Sequence, residues 1–201
     1  METGPNREQC SEPIAMFRQW LAAAEQENIK DHNAIALATA DRHGMPNVRM
    51  VLLKDVEDDA FVFFTNYGSA KAAELSAGRA AFVLYWRELN RQIRARGIVE
   101  KLEADLSDRY FASRPLQSRY GAWASRQSSP LKSKAQLVAR AAKIALRYGN
   151  APPRPSFWGG YRLRPLEIEF WSEGDHRLHD RFRWTRSSPN CGAWEVCRLC
   201  P

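Results

Sequence analysis

Arg177, His179 and Arg181 alternate along one short segment in the last quarter of the sequence. In an extended backbone, positions i, i+2 and i+4 share one face, so the imidazole would lie between two guanidinium groups. Such a face favours an anionic, planar ligand, and an imidazole there could accept or relay a proton near neutral pH. The same residues also fit a turn in which Asp180 pairs with one of the arginines, and the segment alone favours that turn.

Arg49 and Lys54 lie in a segment, residues 48–54, whose composition predicts a β-strand. Because five positions separate them, their side chains would point to opposite faces of a straight strand. Either a bulge reorients one of them, or the two serve different ligands or different subunits. Two ordinary solvent-facing cations would explain this segment equally well.

Two further groups of polar residues could bind an anion. Ser69 and Lys71 stand at a predicted helix start, where backbone N–H groups favour a phosphate, although a capping serine beside an exposed lysine gives the same pattern. Tyr110, Arg114 and Ser118 are spaced so that they could converge on an anion, since arginine offers a planar fork and hydroxyls donate single bonds. One predicted strand also carries a polar face, formed by Gln92, Arg94 and Arg96. A sheet face exposed to solvent would show the same pattern.

The composition narrows the class of partner. The 201 residues are 44% hydrophobic, carry a formal charge of +7 and have a pI near 9.5, which predicts one compact domain and an anionic partner. Lys and Arg are scattered singly, whereas nucleic-acid and membrane-surface tracts concentrate them in runs. Residues 1–9 are polar and unlike a signal peptide, and the apolar stretches are too short to span a bilayer. We therefore expect a cytoplasmic protein that binds neither nucleic acid nor membrane.

The sequence has four cysteines, which we expect to remain free thiols in a reducing compartment: Cys10, Cys191, Cys197 and Cys200. Cys197 and Cys200, with Cys191 upstream, have the spacing of half a zinc site. A second close pair of ligands is missing, and His176 and His179 could supply nitrogen only if the fold brought them near. The sequence therefore predicts no metal site.

Periodicity and turn residues predict a mainly β protein with flanking helices. Helices are expected at about residues 12–29, at 69–75 and in a helical insertion over about 104–148. Strands are expected at residues 34–40, 48–54, 60–66, 80–86, 91–102, 166–171, 181–185 and 193–199. Residues 150–155 are predicted to be an extended connector, and Trp158-Gly159-Gly160 a tight turn. The strands would form an antiparallel barrel with helices laid across it.

Several ordered blocks of sequence, spread from about Pro13 to Pro201, form a combined pattern. They are Arg49-Met50-Val51-Leu52-Leu53-Lys54, Arg91-Gln92-Ile93-Arg94, Ser113-Arg114-Pro115, Gln127-Ser128, Trp158-Gly159-Gly160-Tyr161, Glu169-Phe170-Trp171, Arg177-Leu178-His179-Asp180-Arg181 and Arg198-Leu199. With these blocks the chain resembles the pyridoxamine 5'-phosphate oxidase family. The resemblance implies a single FMN-binding split-barrel domain over residues 1–201, in a homodimer with FMN at the subunit interface.

The resemblance also assigns roles to individual residues. It implies that FMN is held by Arg49, Met50, Val51, Leu52, Leu53, Lys54, Phe64, Thr65, Lys71, Gln92, Gln127, Ser128, Trp171 and Arg181. It implies that the substrate phosphate meets Lys54, Tyr110, Arg114 and Ser118. Arg177 and His179 would face the pyridine ring as the catalytic pair, while Leu178 and Asp180 would face away and anchor the segment.

The implied reaction is oxidation of pyridoxamine or pyridoxine 5'-phosphate to pyridoxal 5'-phosphate, with O2 as acceptor and H2O2 as product. Ala70 stands where many relatives carry Arg, and one missing charge-assisted hydrogen bond could weaken FMN binding by roughly 1.5–3 kcal/mol. Two alternative functions are compatible with the same fold: an FMN oxidase of phenazine precursors, and a non-catalytic module that binds FMN or pyridoxal phosphate. The Ser113-Arg114-Pro115 block with Ser118 argues against the first, and intact Arg177 and His179 argue against the second.

Overall fold

A computed structural model of the chain describes residues 12–190 and 193–201. Two of the four cysteines, Cys10 and Cys191, lie outside the described residues. The helices of the described part are α1 (Pro13–Gln26), α2 (Ala70–Leu75), α3 (Ala104–Ser113), α4 (Leu116–Ala124) and α5 (Lys134–Tyr148). Its strands are β1 (Ala34–Ala40), β2 (Pro46–Val56), β3 (Phe61–Asn66), β4 (Arg79–Trp86), β5 (Arg91–Lys101), β6 (Trp158–Ser172), β7 (Asp180–Thr185) and β8 (Glu195–Arg198).

The first helix forms where apolar residues recur at helical spacing. Pro13 occupies the first turn, the Glu12 carboxylate accepts a hydrogen bond from the Ile14 N–H at 3.3 Å, and the buried face begins at Ile14 and Phe17. Asn28 adopts a left-handed φ of 54°, which interrupts helical hydrogen bonding. The helix therefore ends at Gln26, three residues before the predicted limit.

The strands form one antiparallel sheet that closes on itself. The order is β3-β2-β1-β4-β5-β6-β7-β8, and an additional pairing of β3 with β6 closes six of the strands into a barrel. The barrel encloses apolar side chains from alternate strand positions, including Ile35, Leu37, Phe63, Ile93 and Leu163. The fold class predicted from the sequence, an antiparallel split barrel with flanking helices, is confirmed.

A bulge interrupts the pairing of β2 with β3 at Lys54. Leu53 pairs with Phe63, whereas Asp55 pairs with Val62, so Lys54 is one extra residue on β2. Lys54 is exposed like Met50 and Leu52 at the preceding alternate positions, whereas Arg49 binds the Glu74 carboxylate. The bulge that the sequence allowed is present, but Arg49 and Lys54 still have different surroundings.

Trp158-Gly159-Gly160 does not form the predicted turn. These residues begin β6 and pair with Asn66, Thr65 and Phe64 of β3. A Cβ on Gly160 would lie 2.9 Å from the Phe64 ring. The glycines therefore permit close packing inside a strand, which is their other common use.

The helical insertion lies between β5 and β6. It contains α3, α4 and α5, and residues 125–133 between α4 and α5 are not helical. Helix α3 contacts β6, and α4 contacts α5. No helix within residues 12–190 and 193–201 is long and apolar enough to cross a membrane.

Candidate active site

A pocket of about 510 Å³ opens between the wall formed by β2 and β3 and the helices α3 and α4. It gathers most of the residues predicted for cofactor and substrate binding: Met50, Val51, Leu52, Lys54, Phe64, Thr65, Lys71, Tyr110, Arg114, Ser118 and Gln127. Met50 and Leu52 are 63% and 40% exposed. An apolar wall and cationic groups therefore face one space.

Lys71 lies in the pocket among neutral polar side chains. The Lys71 ammonium lies 3.0 Å from the Gln127 side-chain oxygen and 3.3 Å from the Thr65 hydroxyl. Burial lowers the pKa of Lys71, and the nearby charge of Arg49 lowers it further. The Ser128 hydroxyl accepts a hydrogen bond from the Ala70 N–H at 3.1 Å. Neutral partners leave the lysine's charge available to a phosphate.

Arg49 and Leu53 are not among the residues that line this pocket. The Arg49 guanidinium donates to the Glu74 carboxylate at 2.7 Å and to the Leu37 carbonyl at 3.3 Å. Leu53 is 2% exposed and belongs to the core. Arg49 is thus held beside Lys71 by a carboxylate of α2.

The other end of the pocket is aromatic and cationic. The Phe64 ring stacks on Tyr110 at 3.9 Å and on Trp158 at 5.4 Å between centroids. The Arg114 guanidinium lies 4.7 Å from the centre of the Trp158 ring. Burial lowers the pKa of Arg114, and its Nη1 is a buried donor without a hydrogen-bond partner among the described residues. An anion at this end would satisfy that donor.

A second cluster of predicted residues lies on β5, β6 and β7. Gln92 is opposite Trp171, and Trp171 is opposite Arg181, so the three share one face of the sheet. The His179 ring lies 4.8 Å from the Trp171 ring. None of these four residues lines the pocket described above. A single chain therefore carries the predicted site as two separate clusters.

The segment from Arg177 to Arg181 is not an extended strand with three residues on one face. Asp175–Arg177 forms a short 3-10 turn, Arg177 has a left-handed φ of 66°, and β7 begins only at Asp180. The turn predicted from the local pattern is present, but Asp180 pairs with Arg198 at 3.1 Å instead of with Arg177 or Arg181. Leu178 is 73% exposed in this chain.

The turn depends on Gly174. A Cβ at this position would lie 2.0 Å from the Leu178 carbonyl oxygen, so any side chain would displace the backbone that carries Arg177. The Gly174 N–H also donates to Nδ1 of His179 at 3.3 Å. An imidazole that accepts at Nδ1 carries its proton on Nε2, which leaves an N–H donor for a ligand.

The sequence did not identify several residues of these clusters. Trp158, Asn66 and Ser125 also line the pocket. Ser125 could have been found, because it follows Ser118 by seven positions, which is two turns of helix. Glu169, which binds Arg181, was seen only as part of a sequence block. Within the described residues, no group of three or more His, Cys, Asp or Glu side chains could hold a metal ion.

Known proteins resemble this chain over nearly its whole length. A family model described as pyridoxamine 5'-phosphate oxidase matches residues 21–148, and one described as the pyridoxine 5'-phosphate oxidase C-terminal dimerisation region matches residues 158–201. The pyridoxine/pyridoxamine 5'-phosphate oxidase of Cereibacter sphaeroides is 59% identical over 94% of this chain and 95% of its own. That of Paracoccus denitrificans is 53% identical over 94% and 95%.

Solved structures share the fold. The crystal structure of PhzG from Burkholderia lata 383 in complex with tetrahydrophenazine-1-carboxylic acid has a TM-score of 0.91, with 35% identity over 99% of this chain and 98% of that one. A pyridoxamine 5'-phosphate oxidase-related, FMN binding protein from Nostoc punctiforme has a TM-score of 0.75 at 16% identity, over 92% and 97% of the two chains, and shares the fold alone. On these matches, the chain belongs to the pyridoxine/pyridoxamine 5'-phosphate oxidase family.

Proposed function

We propose that this protein oxidises pyridoxamine 5'-phosphate or pyridoxine 5'-phosphate to pyridoxal 5'-phosphate, with FMN as cofactor, O2 as acceptor and H2O2 as product. Its relatives at 53–59% identity bear the name of this oxidase. The observation that carries the proposal is the pocket in which Lys54, Tyr110, Arg114 and Ser118 face the same space as Lys71. Two phosphorylated ligands need separate cationic groups, and the presence of both Lys71 and Arg114 in this pocket supports the proposal.

The residues present fit FMN. Lys71, with Gln127 and Ser128 beside it, would hold the FMN phosphate, and the exposed apolar side chains of Met50 and Leu52 would lie against the ring system. Arg49 adds positive charge behind Lys71 while Glu74 fixes its orientation. Bound FMN supplies the two-electron acceptor and its reoxidation by O2.

The opposite end of the pocket suits the substrate phosphate. Arg114 offers a planar fork with an unused buried donor, and Tyr110, Ser118 and the bulged Lys54 surround it. Phosphate binding there would compensate the burial of the Arg114 guanidinium, which lowers its pKa in the free protein. Binding of the phosphate around Arg114 would thereby hold the substrate ring at a set distance from these residues.

We propose that a second subunit completes the site. The match to a dimerisation region indicates a homodimer, and residues 158–201 carry Trp171, Arg177, His179 and Arg181. Because these residues lie apart from the pocket in one chain, we propose that those of one subunit face the pocket of the other, with FMN at the interface.

Arg177 and His179 would act on the substrate ring. The exposed Arg177 guanidinium would stabilise negative charge on the ring, and the Nε2–H of His179 would donate a hydrogen bond while Gly174 fixes the imidazole. Trp171, in contact with His179, would close one side of the site against water.

The proposal can be tested directly on the purified protein. We expect it to be yellow with bound FMN and to release peroxide when pyridoxine 5'-phosphate is added. We expect His179→Ala and Arg177→Ala to lower turnover with FMN retained, and Lys71→Ala mainly to lose FMN. FMN bound without peroxide would show a binding module, and equal flavin loss in all three variants would contradict these roles.

A second candidate is oxidation of a phenazine precursor, which the similarity to PhzG favours. The same preparation should be given tetrahydrophenazine-1-carboxylic acid in parallel with pyridoxine 5'-phosphate. Faster turnover of the phenazine compound would replace the first proposal. The cationic and hydroxyl set around Arg114 supports the phosphorylated substrate.

Two further proposals concern the whole chain. Cys197 and Cys200 are exposed free thiols, which is typical of a reducing compartment and supports a cytoplasmic location. One cluster of buried side chains extends from Ile14 in α1 to Trp184 in β7, which supports a single domain over residues 1–201.

A further inference from the structure

Glu169 is a buried carboxylate on the polar face of the sheet. It lies in β6, opposite Arg94 of β5 and Arg183 of β7, and only 3% of its side chain is exposed. Trp171 and Arg181 form the next row on the same face, since alternate residues of a strand share a face. A buried carboxylate normally requires cationic partners, because an unpaired charge in the interior is costly.

Those partners are two arginines from different strands. Glu169 Oε1 accepts from Arg181 Nε at 2.9 Å and lies 2.8 Å from Arg181 Nη2, while Oε2 accepts from Arg94 Nη2. Arg181 Nη1 also donates to the Cys200 carbonyl oxygen at 2.9 Å. The Arg181 guanidinium is therefore fixed on both sides.

The fixed guanidinium still has donors to offer. A guanidinium has five N–H groups; hydrogen bonds to Glu169 and Cys200 use one on Nε and one on Nη1, and Nη2 lies 2.8 Å from Glu169 Oε1, so at least one N–H remains on each terminal nitrogen. Because Glu169 holds Nε and Nη2 and the Cys200 carbonyl holds Nη1, the orientation of those remaining N–H groups is fixed. An arginine side chain otherwise has large rotamer freedom, which binding would have to restrict.

We propose that Glu169 is a positioning residue that holds Arg181 in the orientation in which it binds FMN. The inference rests on the proposed function, since that function assigns Arg181 to the cofactor. Glu169 lies in the row next to Gln92, Trp171 and Arg181 on the same face of the sheet, and it would influence FMN through Arg181. The same carboxylate joins β5 to β7 through Arg94, so it also fixes Arg181 relative to the strand that carries Gln92.

Replacement of Glu169 by Gln distinguishes two roles of the carboxylate, because a role in local charge and a role in positioning Arg181 predict opposite changes in FMN affinity. If the carboxylate only reduced the local positive charge, Glu169→Gln would strengthen the binding of anionic FMN. If it positions Arg181, the same change would weaken FMN binding. Glu169→Asp keeps the charge and shortens the side chain, so only the positioning role predicts an effect.

The experiment measures FMN affinity by fluorescence quenching on protein stripped of flavin and refilled, with the melting temperature as a check on folding. We expect Glu169→Gln to weaken FMN binding about 10-fold, the loss of one charge-assisted interaction, and Glu169→Asp to weaken it in the same direction. The matched control is Glu167→Gln, because Glu167 lies two positions away on the same face, binds Arg96 at 2.9 Å and does not contact Arg181. Its FMN affinity should stay within about twofold.

A double-mutant cycle separates positioning from a general structural role. In an Arg181→Gln background, Glu169→Gln should change FMN affinity by less than about twofold, because the residue through which it acts is gone. Equal losses in both backgrounds would overturn the proposal, as would FMN binding by Glu169→Gln and Glu169→Asp as tight as that of the unmodified protein. Failure of the unmodified protein to bind FMN would instead overturn the proposed function, and the inference with it.

Discussion

Arg114 provides the sharpest test of how the pocket recognises its substrate. Its guanidinium lies 4.7 Å from the centre of the Trp158 ring and 5.7 Å from that of Phe111, and its buried Nη1 has no hydrogen-bond partner in the described part of the chain. A substrate phosphate would gain a charge-assisted hydrogen bond from a group already oriented by packing. Such a bond contributes about 1.5–3 kcal/mol, which corresponds to about 10- to 150-fold in kcat/KM.

We therefore expect Arg114→Gln to lower kcat/KM for pyridoxine 5'-phosphate by about 10- to 150-fold while FMN affinity is unchanged. Arg114→Lys should recover little of the loss, because an ammonium lacks the planar fork. The matched control is Arg109→Gln, since Arg109 lies on α3, the helix that ends just before Arg114, is 68% exposed and forms an ion pair with Asp105. This control should leave kcat/KM nearly unchanged.

The assay is the initial rate of peroxide release over a range of substrate concentrations, with and without the phosphate group on the substrate. For unphosphorylated pyridoxine, Arg114→Gln should have almost no effect, because the interaction that it removes is absent. The reasoning fails if Arg114→Gln lowers activity equally on both substrates, or if it loses FMN in proportion to its activity. Either result would show that Arg114 stabilises the fold or binds the cofactor and does not bind the substrate phosphate.

Three further changes follow from the same structure. Ala70→Arg, at the start of α2, should tighten FMN binding about 10-fold or more by adding a charge-assisted bond, and an unchanged affinity in a fluorescence titration would contradict this. Gly174→Ala, whose Cβ would meet the Leu178 carbonyl at 2.0 Å, should lower kcat about 100-fold by moving Arg177, with FMN retained in the flavin spectrum. The pKa of Glu74 is held below its ordinary value of 4.5 by hydrogen bonds, first from the Thr39 hydroxyl and then from Asn47 and Arg49. The ionised Glu74 carboxylate therefore stabilises the folded protein above pH 4.5, and this stabilisation is lost as the pH falls through the lowered pKa. Glu74→Gln should thus have a melting temperature that depends less on pH below 4.5, and an unchanged slope would refute the assignment.

The sequence by itself determined the elements and the types of residue available to the site. Periodic apolar residues located α1, because burial of one helix face needs that spacing, and alternation located the strands of the barrel. Ordered blocks such as Arg49 to Lys54 placed the chain in its family, which the comparisons confirm. Each of these features involves residues that are close together in the sequence, so it can be predicted from the sequence alone.

Only the tertiary structure decided which of those residues meet. The bulge at Lys54 and the strand at Gly159 and Gly160 depend on pairing with β3, which is distant in sequence. The left-handed backbone at Arg177 follows from the closure of a turn around Gly174, and residue type alone does not predict it. The ion pair between Glu169 and Arg181 depends on strand register, and register is fixed by the packing of the whole sheet.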